Sequence, residues 1–500
     1  MMEEMRVEAN EDGVKENEEE GKWREFYTSS TLHGFRYLFE ETGYKRILWI
    51  IIFCAAIVGS CYLFFGVIED FSKLKTITMT KELFTEKPVE FPTLTFCSFN
   101  PETKAKIASH QNSDDIWSTY EQILSSAKHE KFSKHQKHPK NNFTEKLEKI
   151  LRILNVTTLG ELSEKLQINF HDMLHDTTAK KIFEASSSCY FEGEPCNSTS
   201  FRKVLTEHFG LCYEFNYFVP GKPPKTTSKV GYGLKLFANI HADRVAWDRH
   251  LFNGIAVLIH PYGTPATSHY SIKAMLPVGT SNSIGLSTSH LTLLPPPYES
   301  RCGSKNYTFI KNTYPYSKAM CELDCTAKKI NDSVGCLSYS FEALVDKKHF
   351  CKPDQYLNIS KEIYYFAEYQ ERCRQDCPYE CSFTRYEMTS SESIQLGTKA
   401  FFSKVARKTN KSLSEAEEYV RSNIIRLGIK FSKTSTTEQS VVPTVTSVTM
   451  LGSIGGNFGL CLGFSFLTFF EFLFYFLDVC IKRKWYRKKC RKSNGDEEKS

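Results

Sequence analysis

Residues 47–68 read ILWIIIFCAAIVGSCYLFFGVI, and residues 454–481 read IGGNFGLCLGFSFLTFFEFLFYFLDVCI. A bilayer core about 30 Å thick needs about 20 apolar residues in a helix, so each stretch is long enough to cross. Two crossings place both chain ends on one side and the middle on the other. Lys45 and Arg46 precede the first stretch, and Glu69 and Asp70 follow it. Lys482, Arg483, Lys484, Arg487, Lys488, Lys489, Arg491 and Lys492 follow the second. Basic flanks stay in the cytoplasm, so both termini are expected inside. The basic run reads as a stop-transfer signal, with contact to anionic membrane lipid as its second use. The first stretch starts too far from Met1, and is too long, for a cleaved signal peptide.

The expected organisation is a cytoplasmic N-terminus over residues 1–46, a first span over 47–68 and an extracellular domain over 69–445. A second span, over 446–481, and a cytoplasmic basic tail, over 482–500, complete it. The net charge of +6 over 500 residues gives no reason to expect nucleic acid. Abundant Phe and Tyr, 38 and 25 in the chain, suit a packed core in the middle segment.

Four of the 17 cysteines (Cys54, Cys61, Cys461 and Cys480) fall in the spans, and Cys490 falls in the tail. The other twelve lie between the spans, an even set confined to the outside that reads as six disulfides. The short-spaced pairs Cys321/Cys325 and Cys377/Cys381 admit zinc as a weaker reading. Glycosylation triplets begin at Asn142, Asn155, Asn197, Asn306, Asn331, Asn358 and Asn410, all on the same predicted side. Residues 1–28 are acidic and read as mostly disordered. Strands are expected at Phe91–Cys97, Gly233–Ile240, Gly254–His260, Ala274–Val278 and Ile425–Phe431. Helices are expected at Phe143–Leu154, Leu159–Leu166, Lys318–Ile330, Asn358–Gln370 and Ser412–Asn423, with a Ser/Thr-rich linker before the second span. Together these predict an α+β membrane protein, with two spanning helices flanking a disulfide-rich domain built on a β-sheet.

Several motifs occur in a fixed order. Ser30-Thr31-Leu32-His33-Gly34 precedes Leu48-Trp49; Phe91-Pro92 leads to Thr95, Cys97 and Asn100. Phe191-x-Gly193-x-x-Cys196 precedes Gly210-x-Cys212-Tyr213-x-Phe215-Asn216. Tyr316-Ser317 precedes Cys321-x3-Cys325, and Gly455-Gly456-x-x-Gly459-Leu460 precedes Gly463-Phe464-Ser465 and Glu471. In these motifs the chain resembles the degenerin/epithelial sodium channel superfamily, and looks closest to its acid-sensing branch, over about residues 29–482.

The resemblance implies a palm, thumb and finger domain and the disulfides Cys97–Cys212, Cys189–Cys196, Cys302–Cys381, Cys321–Cys377, Cys325–Cys373 and Cys336–Cys351. One rung of the relatives' ladder is missing, with Val334 at one end and the neighbourhood of Ile359 at the other. It implies a homo- or heterotrimer of related subunits conducting sodium, because one two-span chain cannot enclose a pore. Gly463-Phe464-Ser465 is similar to the family's G-x-S selectivity belt, where backbone carbonyls can replace part of an ion's hydration shell. Phe464 is a bulky departure there and leaves calcium entry open.

Gly455, Gly459 and Gly463 form a small-xxx-small stripe that permits close helix approach. Gly452 matches a gate position, and Ser453 stands where acid-sensing relatives carry Asp. Tyr298 replaces a coupling Trp, and His33-Gly34 is expected to fold back under the belt. Glu471 would cost about 2.5–3.5 kcal/mol facing lipid, so it is expected to face the inner vestibule or a partner helix. No histidine lies between His33 and His110, which weighs against strong proton activation, and Lys128–Lys140 reads as a solvated loop. The stimulus stays open between an extracellular ligand, with a peptide ahead of a proton, and mechanical force. A two-pass adhesion or receptor protein would need neither the glycine stripe nor G-x-S. No nucleophile elbow, HExxH or carboxylate pair suggests an enzyme, and no motif calls for a cofactor or metal.

Overall fold

The computed structural model describes residues 21, 23–84, 88–98, 142–167, 170–175, 177–206, 209–227, 231–242, 254–266, 270–346, 349–352, 355, 366–433 and 435–496. Two compact units emerge: Met1–Ile77 with Pro443–Ser500, and Thr78–Val442.

The first unit is helical. Helix α1 runs Tyr44–Ser72, three residues earlier and four later than the span read from hydropathy. At about 1.5 Å per residue it is about 43 Å long, more than a bilayer core. The second apolar stretch is two helices, α2 (Ser447–Leu462) and α3 (Phe466–Asp496), meeting at 74°. The basic tail prolongs α3 instead of ending at Ile481, because Lys and Arg are good helix formers and no glycine interrupts them before Gly495. Residues 23–29 are helical too, against the expectation of disorder: their aromatic side chains find partners on α3.

The second unit carries the β core. One sheet runs in the order Thr76–Phe84, Ser435–Pro443, Thr280–Thr292, Ile424–Phe431, Gly233–Asn239, Cys189–Phe191, Glu194–Cys196, with Ser382–Gln395 also paired to Thr280–Thr292. A second has the order Ile272–Pro277, Gly254–His260, Thr93–Ser98, Gly210–Phe215, Phe201–Thr206. Gly254–His260 is paired on both sides and wholly buried, which is why it reads as an unbroken apolar run. Phe91, Phe96, Phe215, Leu234, Val257, Ile284 and Ile429 belong to one shared core. Each such side chain contributes about 1.5–3 kcal/mol by leaving water.

The expected linker contains a strand, Ser435–Pro443. Thr280–Thr292 and Ser382–Gln395 escape notice in the sequence because two inward positions of the first are the polar Asn282 and Thr288. Asn282 is satisfied inside, donating to Thr280 Oγ1 at 2.9 Å and to the Arg426 carbonyl at 3.3 Å.

The helix Lys318–Val334 starts at the Ser317 cap, which accepts from Met320 N, and stops at left-handed Gly335 (φ 79°). Cys321 and Cys325 lie one turn apart on it, bonded to Cys377, just past the end of the helix Phe366–Asp376, and to Cys373 on that helix. That helix overlaps the expected Asn358–Gln370 over residues 366–370, and the first residues of that expectation lie outside the described ones. Cys97–Cys212, Cys189–Cys196, Cys302–Cys381 and Cys336–Cys351 complete the six pairs that the resemblance implies. Both short-spaced pairs are thereby taken up in disulfides rather than left as zinc ligands. Buried Asp324 accepts from the backbone N–H of Thr308, Phe309 and Ile310 at 2.7–2.8 Å, fixing the loop beneath.

Candidate functional site

The break between α2 and α3 falls on Gly463-Phe464-Ser465. Gly463 ends α2 in the left-handed region (φ 66°, ψ 17°), a conformation open to glycine and costly for other residues. Its N–H donates to the Gly459 carbonyl at 2.9 Å, and Phe464 N donates to Phe458 at 3.3 Å. Ser465 then caps α3. Phe464 leans onto its own chain, with its ring centroid 6.2 Å from that of Phe458.

The segment before α1 folds back onto this break. His33 N donates to the Leu462 carbonyl at 2.9 Å, and the imidazole occupies space that a Cβ on Gly463 would need. Gly34 (φ 81°) lies against Trp49 of α1, whose ring stacks on Tyr37 at 4.6 Å. Farther along, Phe26 stacks on Tyr475 at 4.2 Å and meets Phe472 edge-on at 5.0 Å. Trp23 adds a contact to Tyr475, and Phe35 one to Phe472 and one to Phe53. Aromatic pairs of this kind add about 0.5–1.5 kcal/mol each beyond their buried area.

Glu471 has a partner that sequence reasoning missed. Its Oε2 accepts from both the N–H and the hydroxyl of Thr31, each at 3.1 Å, so the chain's own pre-membrane segment answers the carboxylate. Thr468, also missed, is completely buried and bonded to Thr31 and Ser465. The available signal was the Ser465-x-x-Thr468 spacing, a helix-start pattern that hydropathy hides inside an apolar run.

The glycine stripe is open up to Gly459, while its last member, Gly463, is covered by His33. A Cβ at Gly452, Gly455 or Gly456 meets nothing within 4 Å, and one at Gly459 only reaches the Phe464 carbonyl at 3.9 Å. Ser453 is exposed beside it.

Tyr298 belongs to the other unit, half-buried in the loop after Thr280–Thr292, with its N–H on the Pro295 carbonyl at 3.3 Å. In the same unit His260 is buried, its ring 2.9 Å from Thr95 Oγ1 and 3.3 Å from Thr264 Oγ1. Burial pushes this imidazole below its ordinary range, with Glu214 pulling upward and Arg202 downward.

Asn155, Asn197, Asn306 and Asn410 are exposed, and Asn331 is half-buried on its helix. Asn197 Oδ1 accepts from Thr199 N at 3.1 Å and from the Thr199 hydroxyl. Asn142 starts a helix, while Asn358 and Lys128–Lys140 lie outside the described residues.

The profile of the amiloride-sensitive sodium channel family matches residues 26–475. Acid-sensing ion channel 1 of Gallus gallus is 27% identical over 489 residues, covering 94% of this chain and 86% of the relative. Acid-sensing ion channel 1C of Danio rerio is 25% identical over 91% of this chain and 83% of its own. Acid-sensing ion channel 2 of Homo sapiens is 26% identical, over 92% and 86%.

Proposed function

The chain belongs to the amiloride-sensitive sodium channel family, and from that premise we propose that it is the pore-forming subunit of a trimeric, ligand-gated cation channel. It is an ion-channel subunit and not an enzyme. The observation that carries the pore reading is the helix break at Gly463-Phe464-Ser465, backed by a loop that docks through His33. A broken helix beside a docked loop frees backbone groups to face an ion, as selectivity filters require.

In this reading α1 and the bent pair α2–α3 each cross the plasma membrane, with both termini cytoplasmic. Sodium is the main permeant ion, and calcium passes as well. Phe464 turns its ring toward Phe458, so bulk at the middle position of the filter need not fill the pore. The open stripe Gly452–Gly459 serves as the contact between neighbouring subunits, with Gly452 as the gate.

The test is voltage clamp on cells expressing Gly452→Phe, with external sodium, potassium and calcium exchanged in the presence and absence of amiloride. A Cβ at Gly452 meets nothing of its own chain within 4 Å, so in this reading the added bulk acts on neighbouring subunits. A standing, amiloride-blocked current is expected. Silence despite surface expression would contradict a conducting homotrimer.

A further inference from the structure

Three hydroxyls and one carboxylate around the break form a single connected chain. Thr468 N donates to Ser465 Oγ at 3.2 Å, Ser465 N donates to Thr468 Oγ1 at 3.2 Å, and the two hydroxyl oxygens are 3.0 Å apart. Thr468 Oγ1 is also 2.7 Å from Thr31 Oγ1, and Thr31 donates to Glu471 Oε2.

The direction of the protons follows from counting them. Glu471 Oε2 accepts from the Thr31 hydroxyl, and each hydroxyl has one proton. Thr31 therefore directs its proton to Glu471, and the 2.7 Å contact must be filled by the proton of Thr468. That proton is then not available to Ser465, so the 3.0 Å contact takes the proton of Ser465 itself. All three protons now point away from the break. Ser465 Oγ accepts the Thr468 N–H and retains a second lone pair, with no proton, to offer an ion.

We infer that Glu471 sets the polarity of the filter hydroxyl through Thr31 and Thr468, making Ser465 a cation-coordinating acceptor and the two threonines positioning residues for ion preference. The inference rests on the reading of Ser465 as pore-lining. A carboxylate at the end of such a chain polarises every bond in it, so removing any link releases Ser465 to turn its proton toward the ion.

The experiment compares reversal potentials, with sodium and potassium as probes, in the Gly452→Phe background. Thr468→Val deletes one hydroxyl and should shift the sodium-to-potassium permeability ratio by about 2- to 12-fold, the range spanned by one net hydrogen bond. Thr468→Ser should restore it. Glu471→Leu, which leaves no acceptor for Thr31, should shift the ratio in the same direction as Thr468→Val, and the double variant should shift it no further, because both cut one chain. Unchanged ratios, or effects that add in the double variant, would overturn the inference: additive effects would mean the carboxylate acts on the ion through its own field.

A complete lack of current would instead count against the conducting-homotrimer reading. The chain is then judged by a Thr31→Cys/Thr468→Cys pair in membranes under mild oxidant, read by mass spectrometry. Linked peptides support the contact, and their absence with both free peptides detected overturns it.

Discussion

Replacing Gly463 with alanine should undock the loop that carries His33, by two separable routes. The left-handed backbone at φ 66° costs a non-glycine residue about 1–2 kcal/mol. The added Cβ would lie 2.7 Å from His33 Cε1 and closer still to Cγ and Nδ1, so the imidazole has to move away. With it goes the His33 N to Leu462 carbonyl bond, a net contribution of about 0.5–1.5 kcal/mol. The sum, about 1.5–3.5 kcal/mol, lowers the docked fraction about 10- to 400-fold. The readout is the rate of disulfide formation between Thr31→Cys and Thr468→Cys in membranes at fixed oxidant, since only the docked loop holds those positions together. His33→Ala provides the control, because it removes the clashing ring and keeps the backbone donor. Added to Gly463→Ala, it should recover about 2- to 12-fold of the rate and leave the backbone cost in place. If His33→Ala restores nothing, the steric account of Gly463 is wrong.

Other consequences are as direct. Phe464→Ala should raise sodium over potassium preference, measured as reversal potentials; unaltered potentials would remove Phe464 from the filter. Asp324→Ala removes the acceptor of three backbone donors and strands the buried one, Ile310 N–H, at about 1–3 kcal/mol, so surface delivery assayed by biotinylation should fall. His260 is held neutral by burial, so its folded-state value lies below the ordinary 6.5. Its contribution to stability is therefore present above pH 6.5 and is lost as pH falls below it. Thermal unfolding followed from pH 7.5 downward should show that loss, and His260→Gln should flatten it.

Much of the architecture was legible because it follows from local chemistry. Gly254–His260 is apolar throughout, Leu159–Leu166 opens on a Thr158–Glu161 capping box, and the cysteines at 321 and 325 lie one helical turn apart. Thr280–Thr292 and Ser382–Gln395 were illegible for the opposite reason. Their side chains are largely polar, and their strand state comes from 13 cross-strand pairs with each other. Residues 23–29 look like part of an acidic tail until Phe472 and Tyr475 are brought beside them.

The candidate site divides along the same line. Composition and spacing alone determine two apolar stretches, the side of the membrane on which each end is expected and the cysteines set aside for disulfides, because hydropathy, flanking charge and cysteine placement are properties of short segments. The glycine that can end α2 in a left-handed turn is likewise visible at Gly463. Only the tertiary structure decides that Thr31 meets Thr468 and Glu471, 437 and 440 residues away. Hydrogen bonds are directional over about 3 Å, and no pattern along the chain records which distant donor comes within that reach.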